Sequence, residues 1–357
     1  MTAPHLVLLG DAESVHLRRW AREMLARGMR VSVVTARPGP IEGVQQCVLA
    51  PVHRPLDWLA RAGAARRELE RLAPDIVHAH YLTSYGYLAA RAGLHPLVLT
   101  AWGSDLLVTP RRRPLVRWLT GWTLRRADLV TGDSADLLDA ARAYRPRAAL
   151  ELVHWGADLD RFRPAPWGER QPGAIASLRS WEPNYRIDVV LAALARLRDC
   201  MPAVPWRLHL LGGGSLEPAL RAHADALGLA AHIEWHGRVD DAAMAAVLAR
   251  CTASVSVPES DATSVSVLES MAAGVPVVAS DLPANRAWLD SESLVAVGDA
   301  AALADALARL HAEPGRAEAI GAANRARIER DGSRGAQMDR MASLYRALLA
   351  PPRRGAR

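Results

Sequence analysis

The chain has 357 residues, half of them hydrophobic and 23% charged, which is too long for one ordinary core and too apolar for disorder. Its formal charge is +6, and every one of the 44 basic residues is Arg, because the sequence contains no Lys. That balance suits anionic partners such as phosphates or a lipid surface, but no C-x-x-C, helix-turn-helix or RNA-binding signature accompanies it, so nucleic acid is not expected.

Short apolar runs alternate with segments of helical period, the pattern of βα units built on parallel sheets. Residues 5–9 read as a first strand, Gly10-Asp11 as a turn, and Leu17, Trp20, Ala21, Met24 and Leu25 as the buried stripe of a helix stopped by Gly28. Residues 31–35, 76–80, 97–100 and 129–131 read as further strands of the same sheet. The Pro- and Gly-dense stretch 163–173, RPAPWGERQPG, then reads as a linker. A second cycle begins at 174–178, with a helix over 187–197, strands at 207–211, 233–235, 253–257 and 275–279, and Glu269 on a helix between the last two. Met338, Met341, Leu344 and Leu348 give a final helix over 336–349 that is expected to pack back on the first domain, before a frayed tail, PPRRGAR.

Cys47, Cys200 and Cys251 lie far apart, which fits neither a disulfide framework nor a structural zinc site. The N-terminus lacks a basic region before its apolar run, and no apolar stretch approaches about 18 residues, so we expect a cytoplasmic protein without a spanning helix. Peripheral attachment at the inner face of the membrane stays open. The stretch 110–126, PRRRPLVRWLTGWTLRR, interleaves Arg111, Arg112, Arg113, Arg117, Arg125 and Arg126 with Leu115, Trp118 and Trp122. It reads equally as an anionic-membrane helix or as a half-buried helix with a solvated Arg face.

The most informative segment is 258–280, PESDATSVSVLESMAAGVPVVAS. A helix whose first turn spans Ser264 to Ser266 offers unpaired N–H groups and a positive dipole end to a diphosphate, and Glu269 on the same helix can accept both hydroxyls of a ribose. The spacing Asp261-x7-Glu269, followed by Ala272, Gly274, Pro276, Val277 and Val278, resembles the E-x7-E and A-x-G-x-P-V-V signature of the family-four retaining glycosyltransferases of GT-B fold. Two further segments are similar to that family: 153–164, VHWGADLDRFRP, through Gly156, Asp158, Phe162 and Pro164, and 178–188, LRSWEPNYRID, through Arg179. Asp158-Leu-Asp160 reads as turn chemistry and not as a metal-binding D-x-D.

The resemblance implies an α/β fold of two Rossmann-like domains facing a central cleft: an acceptor-side domain over 1–165 with a C-terminal helix at about 335–350, and a donor-binding domain over 166–334. It implies a nucleotide diphosphate sugar, UDP- or GDP-linked, as donor, a saccharide or lipid-linked acceptor, and no cofactor or metal. Arg179, Asp261 and Glu269 are the expected catalytic residues, facing diphosphate, transferred sugar and ribose in turn. Thr263, Ser264, Val265 and Ser266 are the expected phosphate-side segment, with Gly213 on a second phosphate-proximal loop, Arg186 beside the donor, and Arg238 and Val239 near the base. Acceptor-side candidates are Asp11, His16 and His80, with Trp102 and Asp105 from TAWGSD, which resembles the family's T-x-H-G-x-D but carries Trp102 where His is usual. Asp261 departs likewise, being one methylene shorter than the usual Glu. A nucleotide-sugar epimerase, which also uses two such domains and would convert donor without acceptor, stays open, and the two departures keep open a non-catalytic nucleotide-sugar binding protein.

Overall fold

A computed structural model describes residues 3–350; the expected frayed tail, 351–357, lies outside the described residues. The chain divides into two compact units, one made of residues up to 155 together with those from 336, the other continuous from 156 to 335.

The first unit is a seven-stranded parallel sheet in the order β3-β2-β1-β4-β5-β6-β7. Its strands are β1 (His5–Leu9), β2 (Arg30–Thr35), β3 (Gln45–Val48), β4 (Ile76–His80), β5 (Leu97–Thr100), β6 (Leu129–Gly132) and β7 (Ala149–Leu152). The central strands are continuous buried runs, as a parallel sheet covered on both faces requires. One face is closed by the helix Val15–Ala26, N-capped by Ser14, whose Trp20, Ala21 and Met24 pack with Met338, Met341 and Tyr345 of the helix Arg334–Leu349. The Trp20 indole donates to the Tyr345 hydroxyl at 3.0 Å.

The second unit repeats the design with six parallel strands in the order β10-β9-β8-β11-β12-β13. These are β8 (Ala174–Ser177), β9 (Arg207–Leu211), β10 (Ile233–Gly237), β11 (Ala253–Ser256), β12 (Val277–Ser280) and β13 (Leu294–Val295). Val190, Leu191 and Leu194 of the helix Ile187–Cys200 cover one face; Val267, Leu268 and Met271 of the helix Val265–Ala272 lie on the other, with Trp288 and Ile328. In each sheet the strand order reverses beside the first strand, between β1 and β4 and between β8 and β11. Such a switch point splays the loops at the strand C-termini and makes a ligand crevice.

The division falls at Trp155/Gly156, ten residues before the boundary expected at 165. The segment ahead of the Pro-rich stretch belongs to the second unit because Ala157 and Phe162 are buried in its core, and Ala157 is bridged to Ser333. No helix among the described residues is long and apolar enough to cross a membrane.

Candidate functional site

At the switch point of the second sheet, the loop after β8 carries Arg179 and the loop after β11 carries Asp261. The geometry joins them. Arg179 Nη2 donates to Asp261 Oδ2 at 2.6 Å, while Nη1 donates to the hydroxyls of Ser264 and, at 3.1 Å, Ser266. The guanidinium lies over the Tyr185 ring at 4.3 Å, and its buried Nε–H has no hydrogen-bond partner. A nearly buried fork of donors with its Nε–H unspent, at the first turn of a helix, is chemistry suited to an anion with several oxygens. Burial raises the Asp261 carboxyl above its ordinary range, an effect that the neighbouring Arg179 opposes.

Glu269 lies one turn further along the same helix, only 3% exposed, with Arg334 Nη2 3.8 Å from its Oε1. Arg334 also stands 3.8 Å from Asp158, whose Oδ1 accepts the backbone N–H groups of Asp160 and Arg161, the turn chemistry expected of that tripeptide. Thr263 and Ser264 are buried, and Val265 and Ser266 half-buried. A β-carbon on Gly212 would sit 2.3 Å from the Arg179 carbonyl oxygen, so glycine there lets the loop after β9 lie against the loop carrying Arg179. Gly213 abuts the side chain of exposed Arg238, and Val239 packs on the apolar core.

Arg186 stands at the start of the helix Ile187–Cys200. Its φ is 50°, and its guanidinium is held by Asp188 at 2.9 Å and Glu259 at 3.0 Å, so two carboxylates already engage the charge assigned to the donor.

In the first unit, β1 leads into Asp11 and His16, and β4 ends at His80. Asp11 accepts from the Glu13 N–H and pairs with Arg37 at 3.3 Å. Trp20, His78 and His80 are buried beneath half-buried His16, Trp102 and Trp155; ring centroids lie 5.0 Å apart for His16 and Trp155 and 5.4 Å for Trp102 and Trp155. The Trp102 indole donates to His80 Nδ1 at 3.2 Å, which leaves the ring proton on a buried Nε2 that has no hydrogen-bond partner. Burial, with His16 adding to it, lowers the His80 pKa to about 3, so the imidazole is neutral.

Asp105 belongs to the same loop as Trp102. It is fully buried, and its carboxylate accepts backbone N–H groups from Leu82, Trp102 and Gly103 at 2.7–3.0 Å. Desolvation pushes its pKa up to about 6 against those bonds. It thereby shapes the loop that presents Trp102.

Two participants were missed. Arg334 lies 65 residues beyond Glu269 and nothing in local spacing signals the pair, whereas Trp155, between β7 and the second unit, could have been suspected from its place beside the 153–164 motif.

The chain matches the glycosyl transferase 4-like family over residues 5–134 and the glycosyl transferases group 1 family over residues 172–313. It is 30% identical to the GDP-mannose-dependent alpha-(1-6)-phosphatidylinositol monomannoside mannosyltransferase of Mycolicibacterium smegmatis, over 68% of each chain. It is 38% identical to the phosphatidyl-myo-inositol mannosyltransferase of Mycobacterium leprae, a match that spans about half of either protein, 48% in each case. Among solved structures, sucrose-phosphate synthase from Thermosynechococcus elongatus superposes with a TM-score of 0.83 at 18% identity, over 97% of this chain and 99% of that one, a likeness of fold. Both halves of the sequence and the architecture of both units thus agree, and the chain belongs to the glycosyl transferases group 1 family, the family-four glycosyltransferases of GT-B fold.

Proposed function

We propose that the chain is a retaining, metal-independent hexosyltransferase that takes its sugar from a nucleoside diphosphate and passes it to a saccharide or lipid-linked acceptor. The observation that carries this reading is the convergence of Arg179 with Ser264 and Ser266 at the start of the helix that bears Glu269. As the bond from the sugar to the diphosphate breaks, charge develops on the leaving oxygen, and a guanidinium fork with helix amides meets that charge without reorganising. Asp261 is an internal carboxylate on the same fork. Donor phosphate oxygens compete with it for Arg179, and the freed carboxylate then turns to the hydroxyls of the transferred sugar. Glu269 accepts from the ribose. Retention follows a front-face route, in which a donor phosphate oxygen takes the acceptor proton and no protein nucleophile is needed.

The relatives' names favour GDP-mannose as the first donor to try and a phosphatidylinositol compound as acceptor. The half-buried rings of Trp102, Trp155 and His16 suit the apolar face of a saccharide. A lipid-linked acceptor also fits the helix Pro114–Leu124, where Leu115 and Trp118 are 66% and 60% exposed and Arg113 and Arg117 are exposed with them.

A mass-spectrometric screen of nucleotide sugars, begun with GDP-mannose and UDP-glucose, tests the proposal. One donor should bind and hydrolyse slowly without acceptor, with the released sugar keeping its anomeric configuration and with turnover unchanged in EDTA. Epimerised donor, or turnover abolished by EDTA and restored by Mg²⁺ or Mn²⁺, would overturn it.

A further inference from the structure

Away from the donor-side cluster, three potential ligand atoms converge on the edge of the second sheet. His209 on β9 is opposite Glu234 on edge strand β10, and His236 lies two residues further along β10. His209 Nδ1 is 3.0 Å from His236 Nε2 and 3.2 Å from Glu234 Oε2, and His236 Nε2 is 3.6 Å from the same oxygen. Zinc binds imidazole nitrogen and carboxylate oxygen at about 2.0–2.2 Å, so two ligands of a tetrahedral ion stand about 3.3–3.5 Å apart, close to all three separations.

The backbone contributes a second, independent sign. The β9–β10 register slips between Trp235 and Gly237, so His236 sits at an irregularity in the parallel ladder. Such irregularities are rare in parallel pairs and re-aim side chains. Here the slip accompanies a His236 ring within 5.3 Å of the His209 ring. His209 is buried, while Glu234 and His236 are half-buried, which gives a rigid inner ligand and an outer side reachable by an ion and a water. Arg207 approaches the other Glu234 oxygen, Oε1, at 3.8 Å, leaving Oε2 to the histidines.

We propose that His209, Glu234 and His236 form a three-ligand site for a zinc-class divalent transition-metal ion, with water in the fourth position, that clamps edge strand β10 to β9. The clamp involves none of Arg179, Asp261 and Glu269, although β10 leads from His236 straight into the loop of Arg238. Transfer that survives EDTA is compatible with it, and metal binding can be measured whether or not the donor assignment holds.

The full chain, stripped with EDTA and desalted, is titrated with CoCl₂ and then with ZnCl₂. One Co²⁺ per chain should bind with the visible absorption of a four-coordinate site, Zn²⁺ should displace it, and Zn²⁺ should raise the thermal midpoint. His236→Ala and Glu234→Gln, both at half-buried positions, should each weaken binding by at least about tenfold and abolish the Zn²⁺-dependent rise. The exposed His223→Ala should bind as the parent does. Metal-free circular dichroism and melting of each variant identify any that fail to fold, and a folded Glu234→Gln alone suffices for the test. No stoichiometric Co²⁺ uptake, a six-coordinate spectrum, or uptake unchanged in a folded His236→Ala or Glu234→Gln protein would overturn the assignment.

Discussion

Arg179 shows how much rests on the shape of one side chain. It reaches Asp261, Ser264 and Ser266 at once and lies over the Tyr185 ring, a combination that a point-charge ammonium cannot reproduce. Arg179→Lys should therefore lower kcat by about a hundredfold or more, the usual cost of removing a donor aimed at developing charge, with a smaller change in donor KM. Steady-state kinetics decide it, and an equal loss in both terms would make Arg179 a ground-state binding residue. His80 gives a second expectation. Unfolded, its imidazole titrates near 6.5; folded, it does so at about 3. Stability is thus fully present above about pH 6.5 and lost as pH falls toward 3, by up to about 1.4 kcal/mol per pH unit for this one group. Denaturant unfolding should become easier on acidification, and His80→Gln should flatten that slope. An unchanged slope would mean that the ring is not buried and neutral as described. At this scale the site was legible where its residues are contiguous, as from Asp261 to Glu269, and illegible where burial decides. Asp105 carries the family pattern yet spends its carboxylate on backbone, and Arg334 meets Glu269 only through the tertiary fold.

Among the elements, the helix Pro114–Leu124 divides the two readings of its sequence between its own faces. Thr120, Thr123 and Leu124 are buried, whereas Leu115 and Trp118 stand in solvent, and Trp122 is half-buried under the Arg126 guanidinium at 3.7 Å. Leu115→Ser with Trp118→Ser should change stability by only about 0.5 kcal/mol per site, because neither side chain fills a core. The double variant should lose the salt-sensitive co-sedimentation with anionic vesicles expected of the parent. Loss of folding would return Trp118 to the core; parent binding that is the same for neutral and anionic lipid would remove the membrane role. The buried central strands were all legible, and half-buried β10 was read with them. The central ones are unbroken apolar runs, but β3, β7 and β13 are short or half-exposed edges without that pattern, and all three went unread. The Pro-rich stretch misled for a related reason. Composition marks where a chain can turn, but the boundary is set by which core takes Phe162.

For the whole molecule, the helix Arg334–Leu349 has a consequence in time. Trp20 and His78 both bond to Tyr345, which is synthesised only after the entire second unit. The order of maturation on the ribosome should therefore be inverted, the later unit, encoded without interruption, completing itself while the earlier one waits half-assembled. A fragment of residues 156–335 should melt cooperatively by itself. A fragment of 1–155 should stay expanded and bind a hydrophobic dye until a separate 336–350 peptide is added, since it lacks Met338, Met341 and Tyr345 of its core. A cooperative melt of 1–155 alone would show that the waiting state is already native-like. If it is not, the nascent first unit is the stage at which this protein most needs a chaperone, and losses of a late residue such as Tyr345 will surface as aggregation of sequence made long before it.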